Sequence, residues 1–287
     1  MTVLHAPSVR HRQRKWVARW ASFLVLSLGA VVWLTPLVWA FSTSLKRPID
    51  MYSSPPQFIP DPIVWSNYPE ALTLQPFARF FLNSAFLVVM STSGTVLTSA
   101  IVGYSFARLR WVGKNVLFVV VLATMMLPTQ VTIIPTFVIF RSIGWIDTFY
   151  PLWVPAWLGG SAFHIFLFRQ FFMSIPRDLD EAARIDGAST IGIFWRILLP
   201  LSRPAVIASA IFHGVWVWND YFGPLIYLRS HEHYTVALGL QLFQGQHHSE
   251  WTKLMAASLA VAFPILLLFL IFQKWFLQGL RFTGVKG

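Results

Sequence analysis

The sequence contains no cysteine and only 11 acidic residues among its 287. Without cysteine there is no disulfide framework and no thiolate site, and cysteine usage says nothing about the redox compartment. Charged residues make up 11% of the chain, against roughly 25% in soluble domains. No stretch reads G-x-x-x-x-G-K-[ST], so the chain carries no loop of that type to cradle nucleotide phosphates. Internal repeats and low-complexity tracts are absent. A stand-alone secondary transporter would show paired ionisable residues near the bilayer midplane and inverted half-repeats, and neither is found. An intramembrane enzyme would need a His/Asp/Ser or metal cluster within its apolar runs. His164 and His213 read instead as isolated, packed or interfacial histidines.

What is abundant points to lipid. The chain is 56% hydrophobic, with 14 Trp and 26 Phe, aromatics that suit membrane interfaces. Five long stretches lack any Asp, Glu, Lys or Arg: residues 20–45, 80–107, 115–140, 148–168 and 254–273. A sixth, 204–228, contains only Asp220. Each is long enough for a spanning helix, which needs roughly 20 apolar residues. Barrel strands would be shorter and alternating. The run 20–45 exceeds the core of a signal peptide, and no small-x-small site follows it, so an uncleaved first span is expected.

The net charge of +11 becomes a question of sidedness rather than of nucleic acid. Six spans put both termini on one side. With the N-terminus inside, only Lys46, Arg47, Arg79, Arg141, Arg229 and Lys253 of the 22 basic residues lie outside. That is the positive-inside orientation. The expected layout is a cytoplasmic tail over 1–19, a six-helix domain over 20–280 and a cytoplasmic tail over 281–287. The outer segment 46–78 holds seven prolines, Pro48, Pro55, Pro56, Pro60, Pro62, Pro69 and Pro76, and reads as irregular.

The longest inner connection is 169–203. Asp178, Asp180 and Glu181 crowd a first helical turn, where negative charge is favoured. Asp180 and Arg184 stand four apart in the favourable order. Leu179, Ala182 and Ala183 share a face, and Gly187 ends or bends this short helix. Ser189 or Thr190 can cap the next helix, "IGIFWRILL", which Pro200 stops. Two readings stand open on these residues alone: a solvated interfacial helix, or a helix whose small face docks into another protein.

The stretch Glu181-Ala182-Ala183, three residues, Gly187, nine residues, then Ile197-Leu198-Leu199-Pro200 resembles the EAA motif of ATP-binding-cassette importer permeases. The family pattern, E-A-A-x3-G-x9-I-x-L-P, is matched at every fixed position. "NSAFLVV" (83–89), "LATMMLPTQVTIIP" (122–135), "FRQFFMSIP" (168–176), "WND" (218–220) and the terminal "GVKG" are similar to the carbohydrate branch, of the maltose-transporter permease type. The resemblance covers roughly residues 15–287. It implies an all-α type I importer permease in the cytoplasmic (inner) membrane, with a cytoplasmic coupling helix around Glu181 to Gly187. Glu181, Ala182, Ala183, Asp186, Gly187, Ile197, Leu199 and Pro200 would form or fix the contact with an ATPase subunit. The tail residues Val285, Lys286 and Gly287 would reach the same partner. A second permease, as a heterodimer, two ATPase subunits and an extracytoplasmic solute-binding protein are implied. ATP and Mg would sit on the ATPase subunits, with no cofactor and no catalysis on this chain. The solute would be a sugar; glycerol-phosphate is the alternative within the superfamily.

Other residues divide between structure and route. Asp220, with Trp218 and Asn219, lies late in the fifth run; an intramembrane acid raises a functional question. Packing, helix capping and lining the sugar route all fit it. Thr129 and Gln130 follow Pro128, which frees backbone groups that polar side chains can satisfy; Gln130 is therefore a second candidate for the route. Ser91, Ser93, Gly94, Thr95, Thr98, Ser99 and Gly103 give the second run a small surface suited to close helix packing. The histidines of "HEH" (231–233) and "HHSE" (247–250) read as exposed outer-loop residues rather than a metal site.

Overall fold

The computed structural model describes residues 9–244 and 250–284. His247, His248 and Ser249, and the tail residues Val285, Lys286 and Gly287, lie outside them. The described residues are helical, with no β-strand among them. In chain order the helices are α1 (Val9–Ser44), α2 (Asn67–Leu74), α3 (Phe77–Arg108), α4 (Lys114–Thr124) and α5 (Thr129–Ser142). Then come α6 (Tyr150–Trp157), α7 (Ala162–Ser174), α8 (Asp178–Ile185) and α9 (Thr190–Ile193). A π-helical turn (Phe194–Leu198) leads into α10 (Leu199–Leu201), α11 (Arg203–Asn219), α12 (Phe222–Tyr227), α13 (Val236–Leu240) and α14 (Trp251–Gly284).

Four helical stretches are long and apolar enough to cross a membrane: Arg19–Ser44, Phe77–Arg108, Tyr150–Ser174 and Trp251–Gln273. Three of the six expected runs are not continuous. The run 148–168 divides into α6 and α7 at Leu158 to Ser161. The run 115–140 is split into α4 and α5 by the unwound residues Met125 to Pro128. Proline disfavours helical geometry in the residue before it and cannot donate to the preceding turn. The run 204–228 breaks at Asp220 and Tyr221, between α11 and α12. The stretch Thr190–Leu201 meets α11 at a bend of 76°.

The chain forms two compact units. One comprises residues up to Ala71 together with Phe243–Ala260. In it the C-terminal end of α1 is stitched to the proline-rich segment. Asn67 Nδ2 donates to the Ser44 and Lys46 carbonyls at 2.8 and 2.9 Å, and Val64 N donates to Leu45 O at 2.9 Å. The Lys46 ammonium lies 4.4 Å from the centre of the Trp39 ring. The segment is irregular as expected, apart from a 3₁₀ turn at Pro48–Tyr52 and α2.

The other unit, Leu72–Leu242 with Val261 onward, is organised by α3. Its 32 residues give a rod of about 48 Å. Of the small surface read from the sequence, Ser91, Gly94, Thr95, Ser99 and Gly103 are buried, Thr98 is half-buried and Ser93 is exposed. The helix packs against α6, α7 and α11 of the same chain. A methyl group on Gly103 would stand 2.8 Å from the Phe168 Cβ and 3.1 Å from the Arg169 backbone nitrogen. Close approach of α7 therefore requires glycine there. Gly103→Val is expected to cost about 1–3 kcal/mol, the range for overpacking, and to lower the thermal midpoint of the detergent-purified chain. An unchanged midpoint would show that α7 does not rest on this position.

At its N-terminal end α3 holds the loop that follows α12. Asn83 Nδ2 donates to the Glu232 and Tyr234 carbonyls at 2.8 and 2.9 Å. Ser84 Oγ accepts from Val236 N at 2.9 Å. The same loop is locked by Asp147, which adopts φ +61°. Its Oδ1 accepts from the Arg229 and Ser230 amides, each at 2.9 Å. Burial pushes the Asp147 carboxyl up, but hydrogen bonds from Ser230, Arg229 and His233 outweigh it and hold the group well below the usual carboxylate range.

Candidate functional site

The loop 169–203 folds as the sequence demands. Asp178, Asp180 and Glu181 occupy the first turn of α8, and Arg184 its last, both in register with the helix dipole. The helix closes in a Schellman motif: Ala188 N donates to Ala183 O at 2.8 Å, and Gly187 N to Arg184 O at 3.0 Å. Gly187 has φ +79°, a region that costs an L-residue roughly 1–2 kcal/mol. Ser189 then caps α9, its Oγ accepting from Gly192 N at 3.1 Å.

The inward face of α8 is anchored to the core of its own chain. The Asp180 carboxylate lies 3.2 Å from Arg108 Nε, with side-chain exposures of 9% and 3%. The pair is an ionic contact rather than an aligned hydrogen bond, since Arg108 Nε and Asp180 Oδ1 have no hydrogen-bond partner. Arg108 Nη2 instead donates to Ile175 O at 2.7 Å. Tyr104 OH donates to Thr190 O at 3.1 Å. Two expectations are thereby corrected. Asp180 is buried against Arg108 on α3 rather than set out as an i,i+4 partner of Arg184. Ala183 does not belong to an outward small face: it is buried in a cluster with Ala100, Tyr104, Phe168, Phe172 and Ile193. The reason is helical register. Asp180 and Ala183, three apart, lie on one side of α8, and residues of α3 (Arg108, Ala100 and Tyr104) meet that side.

The outward face is what remains. Glu181 and Ala182 are exposed, and Ile185 is 87% exposed. Ile191, beyond the turn, is 70% exposed. An isoleucine left open on a polar helix was not singled out in the sequence. Its signal was its position, off the side set by Asp180 and Ala183. Asp186 and Gly187 are exposed at the turn. Ile197 and Leu199 are half-buried against the same cluster as Ala183, and Pro200 is exposed at the start of α10. The π-helical turn between them widens the helix and lets Phe194 and Leu198 both reach that core.

The residues proposed for a route sit at or beside two of the three breaks. Gln130 is exposed in the first turn of α5. Trp218 is half-buried, its Nε1 donating to Val261 O at 3.1 Å. Asn219 is exposed and its Nδ2 donates back to Val215 O at 2.7 Å. Asp220 Oδ1 accepts from Gly223 N at 3.1 Å and so caps α12. His164 and His213, read as isolated, are neighbours with ring centres 5.4 Å apart. His213 Nε2 is 2.9 Å from Ser91 Oγ and 3.1 Å from Thr95 Oγ1. The two lie in different apolar runs, and only the packing of α7 beside α11 brings them together.

The chain is similar to proteins of one kind. The family profile described as "Binding-protein-dependent transport system inner membrane component" matches residues 96–282. The arabinooligosaccharides transport system permease of Bacillus subtilis is 33% identical over 282 residues, covering 97% of this chain and 100% of that protein. The sn-glycerol-3-phosphate transport system permease of Yersinia pestis is 31% identical over 265 residues, covering 90% of this chain and 94% of its own. Among solved structures, a bacterial ABC transporter involved in import of the acidic polysaccharide alginate shares the fold. Its TM-score is 0.79 at 24% identity, over 95% of this chain and 100% of the matched one. With several membrane-length apolar helices and the EAA loop inside the matched region, this multi-pass chain belongs to the inner-membrane permease family of binding-protein-dependent ABC transport systems.

Proposed function

We propose that the chain forms one half of the translocation pathway of a carbohydrate importer and couples it, through α8, to a separate ATPase subunit. The observation that carries the reading is the two-sidedness of α8. One side is fixed to α3 by Asp180 and Ala183, and the other presents Glu181, Ala182 and Ile185 to a partner. A helix so anchored passes the movement of that partner to the membrane helices as a rigid lever. Two ATPase subunits would bind ATP and Mg, and a second permease would complete the pathway as a heterodimer. A solute-binding protein outside would deliver the sugar. This chain binds no cofactor and catalyses no reaction; the tail residues Val285 to Gly287 add to the ATPase contact.

The six-span layout, with both termini inside, gives two of the three breaks a purpose. Free backbone groups at membrane depth are tolerated only where they are buried in protein or line water. That supports a reading in which Met125 to Pro128, followed by Gln130, and Asn219 with Asp220 line the pathway. Similarity to the arabinooligosaccharide and alginate systems favours a carbohydrate. Similarity to the glycerol-phosphate system keeps that solute as the second reading. Thermal-shift screening of the cognate binding protein against sugars and glycerol-phosphate separates the two.

A chain without cysteine permits clean labelling. A single cysteine at Ile49, which is exposed in the 46–78 segment, is expected to react with an impermeant maleimide in intact spheroplasts. One at Val112 is expected to react only after permeabilisation. Reaction of both in intact spheroplasts contradicts the topology. A cysteine at Ile185 is expected to cross-link to the ATPase subunit in the assembled complex; labelling without any cross-link contradicts the docking role.

A further inference from the structure

The inner end of α3 and the start of the EAA loop enclose a cleft of about 380 Å³ whose charged lining is Arg108, Arg110, Arg177 and Arg184, with Asp180 and Glu181. Arg108 is already committed to Asp180 and to Ile175 O. Arg110, Arg177 and Arg184 are exposed and outnumber the one remaining carboxylate, Glu181. Guanidinium groups gathered in one open cleft repel one another, and a bidentate oxyanion relieves that repulsion while matching their planar donors.

The level of the cleft in the membrane indicates which oxyanion. The apolar run of α3 ends at Arg108 and that of α4 begins after Lys114. The connection between them therefore lies at headgroup depth. Its tip, Val112, is 100% exposed, and Trp111 is half-buried beside it. A second cleft of about 430 Å³ shares Arg110 and adds Trp111 and Lys114. From there the surface of α4 continues as an exposed apolar strip, Val116, Leu117, Val119 and Val120. Arginines above an open aliphatic strip match a phosphodiester with acyl chains, whereas a free phosphate would have no use for the strip.

We infer that this cleft seats the phosphate headgroup of an anionic phospholipid from the inner leaflet, with its acyl chains along α4. The inference rests on the inner-side placement of this hairpin. Labelling at Val112 tests that placement alone, so failure of the topology and failure of the lipid site are distinguishable.

The test uses the assembled transporter in nanodiscs and native mass spectrometry of the permease subunit. In phosphatidylcholine discs doped with phosphatidylglycerol, the wild-type subunit is expected to retain a saturable phosphatidylglycerol adduct. The Arg110→Gln/Arg177→Gln variant is expected to need about tenfold more of it for equal occupancy. Inorganic phosphate at millimolar concentration should leave the adduct in place. Equal occupancy in wild type and variant overturns the inference, as does equal retention of phosphatidylcholine and phosphatidylglycerol by wild type. Displacement by inorganic phosphate would make this a free-anion site and overturn it. So would loss of ATPase coupling in the variant that is equal in pure phosphatidylcholine discs, since the arginines would then grip another subunit.

Discussion

Asp180→Ala is expected to destabilise the chain by about 3–5 kcal/mol, the cost of stripping one member from a buried ion pair. The magnitude follows from what is left behind. Arg108 has a side-chain exposure of only 3%, so its charge would stay buried with the Ile175 carbonyl as its remaining partner. The loss should appear as a lowered thermal midpoint and as release of α8 from α3. Solute-stimulated ATP hydrolysis should fall with it, because a detached α8 no longer moves the bundle. The double variant Arg108→Met/Asp180→Leu separates the two consequences. Apolar replacement of a whole buried pair is often neutral or stabilising, so the midpoint should recover. If stability and coupling both return, the pair serves to hold α8 in place and its charge as such is dispensable. A stability within about 0.5 kcal/mol of wild type in Asp180→Ala, the usual range for surface substitutions, would place Asp180 outside the core.

The contrast between the two faces of α8 explains how much was legible in the sequence. The acids of the first turn, Gly187, the Ser189 cap and Pro200 could all be read, because each acts on backbone within a few residues. The apolar runs could be read because lipid imposes a composition on long stretches. The direction faced by Ala183 could not. Nothing local marks whether an alanine meets its own core or another protein's groove. Arg108, the residue that decides the matter, is distant in sequence and looked like one more positive-inside flank. The same limit applied to His164 and His213, which tertiary packing alone makes neighbours. Runs 115–140, 148–168 and 204–228 read as continuous in the sequence because composition measures apolarity and not backbone geometry. Pro128 carried a warning; at Asp220 the break follows from a side chain that caps the next short helix.

Glu181→Lys is the second large effect, and it is of the opposite kind. Glu181 is exposed, so its replacement should leave the thermal midpoint of the isolated chain nearly unchanged, as for surface sites in general. Its effect should lie in the complex, where a reversed charge enters a partner's groove beside Ile185. Truncating one member of a buried, hydrogen-bonded charge pair at an interface costs about 2–5 kcal/mol. Reversal should cost at least as much, which weakens docking more than tenfold. Gly187→Pro should give a similar loss by another route. The position holds φ +79°, whereas proline is fixed near −65°, so the turn that presents Glu181 and Ile185 would be lost.

The most direct measurement is ATP hydrolysis by the reconstituted transporter, with and without solute-loaded binding protein, for wild type and Glu181→Lys at matched membrane insertion. Stimulation by the loaded binding protein is expected to disappear in the variant while the permease remains folded and inserted. Undiminished stimulation in a correctly inserted Glu181→Lys complex would contradict the assignment of α8 as the point where the ATPase drives the pathway.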